Sequence, residues 1–195
     1  MAMPVRGMSS RALQAEQTRV QILETARRLF AEQGYDATSI QMIADEMGLT
    51  KAAVYYHFRA KTDMLEAVLR PGFEHIATLL DEAASIRGKR ARISHVVDGF
   101  VDFFVANRHF TAMASNDPAA KRLDPGDEPG AAELRQRALD LFFGEHPSGA
   151  ERIAFNAALS IPECLPELVD LTDDELREAL QTTMTHILRV PSRAA

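Results

Sequence analysis

Residues 38–58 read TSIQMIADEMGLTKAAVYYHF. This stretch predicts two short helices joined by a tight turn. Thr38 is placed to cap the first helix, with Gln41 completing a capping box, and Gly48 ends that helix. Thr50 is placed to cap the second helix. A turn of three to four residues between two short helices is the spacing of a helix-turn-helix.

The preceding residues predict the helix on which this pair packs. Residues 18–32 repeat apolar side chains at three- and four-residue spacing, which indicates an amphipathic helix, and Gly34 ends it. Val54 and Phe58 are expected to pack the third helix onto the first two. A fourth helix is expected to begin near Lys61.

The third helix then leaves its other side to solvent. Its residues are small near the start and aromatic or polar near the end, which suits a helix that enters the major groove. Hydroxyl, imidazole and ammonium groups at its margins can bond phosphates. The outward residues are Thr50, Lys51, Ala52, Ala53, Tyr55, Tyr56 and His57. The alternative is a solvated surface helix, in which the pair Tyr55-Tyr56 would be unusual.

Residues 22–40, ILETARRLFAEQGYDATSI, resemble the opening of the TetR/AcrR family of bacterial transcriptional regulators. The resemblance continues through Ile43-Ala44 and residues 48–58 to Lys61, and it covers about residues 20–69. Ala60 departs from the family pattern, which usually has a polar capping residue there. We therefore expect the fourth helix either to be capped by another group or to fray.

The resemblance implies a role in DNA binding for each matched position. Positions that usually bond phosphates are Thr38, Ser39, Tyr56, His57 and Lys61. Positions that usually face base edges are Gln41, Lys51, Ala52, Ala53 and Tyr55. A symmetric dimer of such domains would place two recognition helices about 34–36 Å apart, on a near-palindromic double-stranded operator.

Composition and charge limit the partners. The chain has 195 residues and a formal net charge of −6, but residues 1–62 hold eight basic and six acidic residues, so this part is +2 and the rest −8. Only the N-terminal part is suited to lie on phosphates. No apolar run is long enough for a membrane span, and the N-terminus lacks a signal-peptide core, so we expect a cytoplasmic protein without a membrane partner.

The fold class predicted from these patterns is all-α, in three parts. Residues 1–17 form a tail that we expect to be disordered, with the alternative that Arg6 and Arg11 reach the minor groove. Residues 18–62 form the three-helix helix-turn-helix DNA-binding domain. Residues 63–195 form a helical domain that the resemblance assigns to ligand binding and dimerisation. Pro71-Gly72 predict a kink or restart in the fourth helix, which joins the domains as a lever.

Eight of the ten phenylalanines lie between residues 73 and 155, and could line an apolar ligand pocket. The alternative is that they fill the core. The pocket candidates are Phe73, Phe100, Phe103, Phe104, Asn107, Phe110, Met113, Phe142, Phe155 and Asn156.

The last two helices carry apolar stripes that predict a dimer face. Two such helix pairs related by a two-fold axis would form a four-helix bundle. The candidates are Ile153, Ala157, Ile161, Leu176, Leu180, Met184 and Ile187. The alternative is that both stripes are buried within one chain.

The sequence therefore predicts a dimeric repressor that a small apolar or amphipathic effector releases from a palindromic operator. No catalytic residue, metal or cofactor is predicted, and the single cysteine, Cys164, is expected to be a small apolar residue. An all-helical small-molecule enzyme is disfavoured, because the aromatic segments contain no nucleophile, metal cluster or carboxylate pair. A helical adaptor without DNA activity is the other alternative, and unchanged DNA binding after changes at Lys51 and Tyr56 would favour it.

Overall fold

The computed structural model describes residues 10–118 and 129–188, except the side chains of residues 115, 116 and 129–132. The described residues form nine α-helices and one 3₁₀ helix, with no strand among them, so the all-α prediction is confirmed. The helices are α1 (Ser10–Gln33), α2 (Ile40–Glu46), α3 (Lys51–His57), α4 (Lys61–Ser85), α5 (Lys89–Ala106), α6 (Arg108–Asn116), α7 (Pro129–Phe143), α8 (Gly149–Ser160), the 3₁₀ helix (Ile161–Leu168) and α9 (Asp173–Leu188).

The chain divides into two compact units, Met1–Val68 and Leu69–Ala195. The division falls within α4, rather than between residues 62 and 63 as predicted from the sequence. Met64 and Leu65, in the first turns of α4, are completely buried, and they belong to the N-terminal unit. Apolar burial thus places the start of α4 with the helix-turn-helix.

In the N-terminal unit, α1, α2 and α3 pack together with the first turns of α4. Its fully buried side chains include Ile22 and Phe30 of α1, Ile43 of α2 and Val54 of α3. Gly34 ends α1 at a φ of 86°, a left-handed conformation that costs glycine little, and its N–H donates to the Phe30 carbonyl at 2.9 Å.

Helix α1 begins earlier than the sequence pattern indicated. It starts at Ser10, so the expectation of a disordered tail is wrong for residues 10–17, while residues 1–9, with Arg6, lie outside the described residues. Residues 12–15 include leucine and two alanines, which favour helix. Thr18 also donates its hydroxyl to the Gln14 carbonyl at 3.0 Å.

Helix α4 runs without interruption through Pro71, so the predicted restart at Pro71-Gly72 is wrong. Proline removes one backbone donor, but Pro71 is exposed and the helix continues on both sides of it. Gly72 instead permits close packing, because a Cβ there would lie 3.1 Å from the ring of Phe103 on α5.

The C-terminal unit has a core built from α4, α5, α7, α8 and α9. Its most deeply buried members include Leu80, Val96 and Leu176. A capping box begins α9: the Thr172 hydroxyl accepts from the Glu175 N–H, and the Glu175 carboxylate accepts from the Thr172 N–H at 2.9 Å.

The 3₁₀ helix was not predicted, because Pro162 and Pro166 in the sequence indicate only the end of α8. Arg108, at the start of α6, holds the end of this segment by donating to the carbonyls of Leu168 at 2.7 Å and Leu171 at 2.9 Å. Cys164 lies in the same segment and is exposed, so it is not packed as a small apolar residue.

Candidate DNA-binding surface and apolar cavity

The turn between α2 and α3 is closed by backbone hydrogen bonds. The Leu49 N–H donates to the Ala44 carbonyl at 2.8 Å, and Gly48 has a φ of 64°. Thr50 caps α3 as predicted, because its hydroxyl accepts from the Ala53 N–H at 3.2 Å. Since Ala44 is completely buried and has a small side chain, α2 and α3 can approach closely.

Thr38 does not cap α2; Ser39 does, by accepting from the Met42 N–H at 3.1 Å. Thr38 is 1% exposed, and its hydroxyl donates to the Gly34 carbonyl at 2.8 Å, with the Leu29 carbonyl at 3.2 Å. The Thr38 hydroxyl is therefore committed to the interior, and the phosphate contact predicted at this position stays a prediction. Ser39 is exposed beside it.

The outer side of α3 presents aromatic side chains to solvent. Tyr56 is 81% exposed and Tyr55 is 44% exposed, whereas Val54, on the inner side of the same helix, is completely buried. The edge of the His57 ring meets the Tyr56 ring, with centroids 5.1 Å apart. Lys51 is exposed, and its ammonium lies 5.9 Å from the Tyr55 ring centroid.

The small residues of α3 differ in accessibility. Thr50 and Ala52 are exposed, whereas Ala53 is partly buried. On α2, Gln41 is exposed, but its amide donates to the Asp45 carboxylate at 2.7 Å. Contact between Gln41 and a base edge therefore requires this hydrogen bond to be exchanged. The individual DNA contacts stay predictions.

The start of α4 is capped from within the helix. One carboxylate oxygen of Asp63 accepts from the N–H groups of Arg59, at 3.2 Å, and Ala60, at 3.3 Å. Asp63 thus replaces the polar capping residue that is missing at Ala60. It was not identified from the sequence. An acid in the first turn of a helix was the available signal.

Lys61 was predicted to bond a phosphate, but its ammonium faces the backbone between α1 and α2. It donates to the carbonyls of Tyr35 at 2.8 Å and Thr38 at 2.9 Å, with the Asp36 carbonyl at 3.5 Å. It also lies 4.0 Å from the centroid of the Tyr35 ring.

The C-terminal unit contains a small apolar cavity of about 30 Å³. Four predicted pocket residues line it, namely Phe100, Phe104, Phe142 and Phe155. The lining residues that sequence reasoning missed are Val97, Ala138, Ala158, Leu159, Met184 and Leu188. Ligand sites in proteins usually enclose about 300–1,000 Å³, so a drug-sized ligand requires this cavity to open.

The other predicted pocket residues lie elsewhere. Phe103 stacks on His75 of α4 with ring centroids 5.3 Å apart, and the Asn107 amide donates to the Phe103 carbonyl at the end of α5. Asn156 is exposed and accepts from Arg135. Phe73, Phe110 and Met113 do not line this cavity either. The six were grouped by residue type alone, which does not show the direction of a side chain.

The predicted dimer face is partly wrong. Leu176, Leu180 and Met184 of α9 are no more than 5% exposed and belong to the core of their own unit. Ile161 and Ile187 are partly buried against the same core. On α8, by contrast, Ile153 is 72% exposed and Ala157 is exposed. Only these two of the predicted dimer residues are freely accessible.

The described residues contain no group of three histidine, cysteine, aspartate or glutamate side chains able to hold a metal ion. Within the same residues, no helix combines the length and apolar character that a membrane crossing requires.

Comparisons with known proteins agree with this geometry. Residues 22–68 match the family model of bacterial regulatory proteins of the tetR family. The HTH-type transcriptional repressor Rv1474c of Mycobacterium tuberculosis is 28% identical over 151 residues, 77% of this chain and 77% of that repressor. The HTH-type transcriptional regulator AcrR of Shigella flexneri is 42% identical over 55 residues, 28% of this chain and 26% of AcrR.

The fold of known regulators also matches. The structure of NalD, the secondary repressor of the MexAB-OprM multidrug efflux pump in Pseudomonas aeruginosa, aligns with a TM-score of 0.66 at 22% identity, and covers 89% of this chain and 96% of NalD. The exposed α3 and these matches indicate a helix-turn-helix transcriptional regulator, which is a DNA-binding protein rather than an enzyme. Residues 22–68 thus match the tetR family of bacterial regulatory proteins, and the chain as a whole is similar to regulators of the helix-turn-helix type.

Proposed function

We propose that the protein is a cytoplasmic, dimeric repressor that reads a near-palindromic operator with α3 and is released by an apolar or amphipathic effector. The observation that carries the DNA-binding part is the exposed side of α3. There, Lys51, Tyr55 and Tyr56 are exposed beside Ala52, whereas Val54 on the same helix is completely buried. Repression is supported by similarity to the HTH-type transcriptional repressor Rv1474c of Mycobacterium tuberculosis.

The proposed contacts follow from side-chain chemistry. The ammonium of Lys51 can donate to guanine O6 and N7, and the methyl group of Ala52 can touch a thymine methyl. The Tyr56 hydroxyl and the His57 ring are suited to phosphates at the edge of the groove. Ser39 is suited to the phosphate role predicted for it, because its hydroxyl is on the exposed side of the α2 N-terminus.

Dimerisation is proposed through α8. Ile153 and Ala157 are spaced one helical turn apart and both are exposed. A two-fold axis would bring the same patch of both copies together, and small residues permit close helix crossing. The buried apolar stripe of α9 packs in the same core as α8, because Leu176 and Leu180 of α9 and Phe155 of α8 all belong to that core.

Selection from a random-sequence duplex library tests DNA recognition by the full-length protein. The expected result is enrichment of a near-palindrome, with half-site centres one helical turn or a multiple of it apart. Enrichment of no sequence would contradict DNA recognition. An asymmetric single site would contradict the dimer.

The effector is proposed to enter the cavity of the C-terminal unit and to act on α4 through α5. Three lining residues, Val97, Phe100 and Phe104, belong to α5. The same helix packs closely on α4, because a Cβ at Gly99 would lie 2.4 Å from the Leu79 side chain. Since cores are close-packed, opening the cavity must displace at least one of the helices that line it, namely α5, α7, α8 and α9.

Native mass spectrometry of protein purified from its host, followed by operator titration with the released compound, tests this proposal. A compound that favours the non-binding state by about 1.4 kcal/mol lowers operator affinity tenfold. Equal operator affinity with and without a compound that occupies the cavity would contradict release by an effector.

A further inference from the structure

The cavity of the C-terminal unit is lined by apolar side chains. Its lining residues come from α5, α7, α8 and α9, and none of them carries a charge or an N–H or O–H donor on its side chain. Burial of apolar surface is therefore the interaction that the lining itself offers a ligand. Ligand sites usually add a few polar groups that fix the orientation of the ligand, so the edge of the cavity decides which head group a ligand can carry.

Arg135 of α7 lies at the edge of this cavity. It is on the same face of α7 as the lining residues Ala138 and Phe142, which follow it by three and seven residues. Its guanidinium carbon lies 5.7 Å from the centroid of the ring of Phe155, a lining residue of α8. Phe155 is 3% exposed, whereas Arg135 is exposed. A cation thus stands where the apolar lining meets solvent.

The charge of Arg135 has no acidic partner in the part of the chain that the structure describes. Its guanidinium donates to the amide oxygen of Asn156, which is a neutral acceptor. The amide of Asn156 is held in this orientation, because its NH₂ group donates to a backbone carbonyl one turn earlier in α8 at 2.7 Å. Arg137, two residues further along α7, pairs instead with Asp81. Since a guanidinium has five N–H donors, Arg135 keeps donors for a further acceptor.

Leu159 marks a point at which the cavity approaches the surface. It lines the cavity, yet it is 39% exposed. It follows Asn156 by three residues, so it lies on the same side of α8 as the hydrogen-bond partner of Arg135. A ligand that enters beside Leu159 therefore has its outer end within about one helical turn of the guanidinium.

We propose that Arg135 binds the carboxylate of an amphipathic effector whose apolar tail enters the cavity. A carboxylate carries the single negative charge that one guanidinium balances, and it fits the planar fork of arginine with two parallel hydrogen bonds. This inference rests on the proposed opening of the cavity by an effector. It narrows the effector from an apolar or amphipathic molecule to an amphipathic carboxylate.

Two probes with the same tail test the head group. Decanoate and decan-1-ol are titrated into the full-length protein without DNA, each below its solubility or micelle limit, and isothermal titration calorimetry measures binding. We expect decanoate to bind at one site in each chain and about tenfold more tightly than decan-1-ol, because hydrogen bonds between charged groups are stronger than neutral ones. Equal affinities, or no binding of decanoate, would overturn the proposal.

Arg135→Met tests the residue. It is expected to lower the affinity for decanoate about tenfold and to leave the affinity for decan-1-ol unchanged. Arg137→Met is the matched control, since it removes the same charge from the same helix, but from a guanidinium that is paired with Asp81. It is expected to change the affinity for decanoate by less than about twofold. Equal losses in the two variants would assign the effect to net charge and overturn the role of Arg135.

The length of the alkyl chain tests whether the tail is buried. Octanoate, nonanoate and decanoate have the same head group, and each additional buried methylene is expected to raise affinity about threefold to fourfold. The increase is expected in the unaltered protein and in Arg135→Met alike, because the tail does not contact Arg135. Affinity that is independent of chain length would leave the tail in solvent and overturn the proposal.

Operator titration separates this inference from the proposed release by an effector. If decanoate binds through Arg135 and operator affinity stays the same, release by this ligand fails while the carboxylate site stands. If a compound released from the purified protein lowers operator affinity and decanoate does not bind, release by an effector stands while the carboxylate site is overturned.

Discussion

Thr38 carries a buried hydroxyl whose partners are backbone carbonyls. Thr38→Val keeps the shape of the side chain but removes the hydroxyl donor, so the Gly34 carbonyl retains only the backbone N–H of residue 38, at 3.3 Å. We expect the free energy of unfolding to fall by about 1 kcal/mol, because a buried hydrogen bond is lost. Chemical denaturation measures this difference.

Thr78→Val is the matched control, since the Thr78 hydroxyl makes the same kind of bond to the Glu74 carbonyl on an exposed helix face. Its effect is expected to be within about 0.5 kcal/mol. Equal losses at the two threonines would show that burial of the Thr38 hydroxyl has no energetic importance.

The sequence predicted the helices of the helix-turn-helix and the cap at Thr50, and its errors arise where a tertiary contact decides between residues. Thr38 and Ser39 are adjacent residues that can both cap a helix, so the pattern alone could not choose between them. The choice depends on which hydroxyl meets the end of α1, a tertiary contact. The same holds for Lys61, whose carbonyl partners lie 23 to 26 residues away in the sequence.

Among the helical elements, α9 carries a capping box whose strength depends on pH. The N–H of Thr172, at 2.9 Å, and its hydroxyl, at 2.8 Å, donate to the Glu175 carboxylate and hold the pKa of Glu175 below its usual range. A carboxyl with a lowered pKa in the folded state stabilises the protein above its unfolded pKa of about 4.3. That stabilisation is lost as the pH falls through the lower, folded pKa.

We therefore expect the melting temperature of the unaltered protein, relative to Glu175→Gln, to decrease as the pH is lowered from about 6 to about 3. Thr172→Val, which removes one donor, is expected to reduce this pH-dependent difference. A difference that stays constant across this pH range would contradict a lowered pKa at Glu175.

Helix α7 places two neighbouring phenylalanines in different surroundings. Phe142 is 4% exposed and lines the cavity, whereas Phe143 is only partly buried. We expect Phe142→Ala to lower the free energy of unfolding by about 3–5 kcal/mol, and Phe143→Ala by less than half as much. Denaturant unfolding of the two variants measures the difference, and equal losses would contradict a larger energetic contribution of the buried Phe142 ring.

Helix positions were largely predictable, since apolar spacing and capping residues are local signals. Two errors came from giving a local signal too much weight. Pro71 does not end α4, because its ring is exposed and buried contacts such as those of Leu65 and Leu80 continue on both sides. Pro162 and Pro166 form a 3₁₀ helix where only a helix end was predicted, and Arg108 from another element stabilises it.

At the scale of the whole molecule, the exposed patch of α8 predicts the oligomeric state. Ile153→Glu changes a side chain that is 72% exposed, so the stability of the folded chain is expected to change by no more than about 0.5 kcal/mol. A charge at the centre of a self-complementary apolar patch is expected to convert dimers to monomers. Analytical ultracentrifugation measures the oligomeric state of the variant.

Val169→Glu is the control, because Val169 is similarly exposed, at 69%, outside α8 and α9. It is expected to leave the dimer intact. A dimer that survives Ile153→Glu with unchanged affinity would assign the interface to another surface.

The C-terminal unit was the least predictable part of the chain. An apolar stripe of helical period can face the core of its own chain or a second chain, and the two cases have the same sequence pattern. In α9 the stripe of Leu176, Leu180 and Met184 faces inward. The phenylalanines divide in the same way, because Phe100 lines the cavity and Phe103 packs on α4.

The central claim is that the exposed side of α3 reads DNA, and the double variant Lys51→Ala, Tyr56→Ala tests it most directly. Both side chains are exposed, so the melting temperature is expected to be unchanged, while affinity for the selected duplex falls at least about 30-fold. The control is Arg90→Ala, which changes an exposed basic residue of the C-terminal unit. This variant is expected to bind the duplex as the unaltered protein does. Unchanged affinity of a folded double variant would contradict DNA recognition by α3.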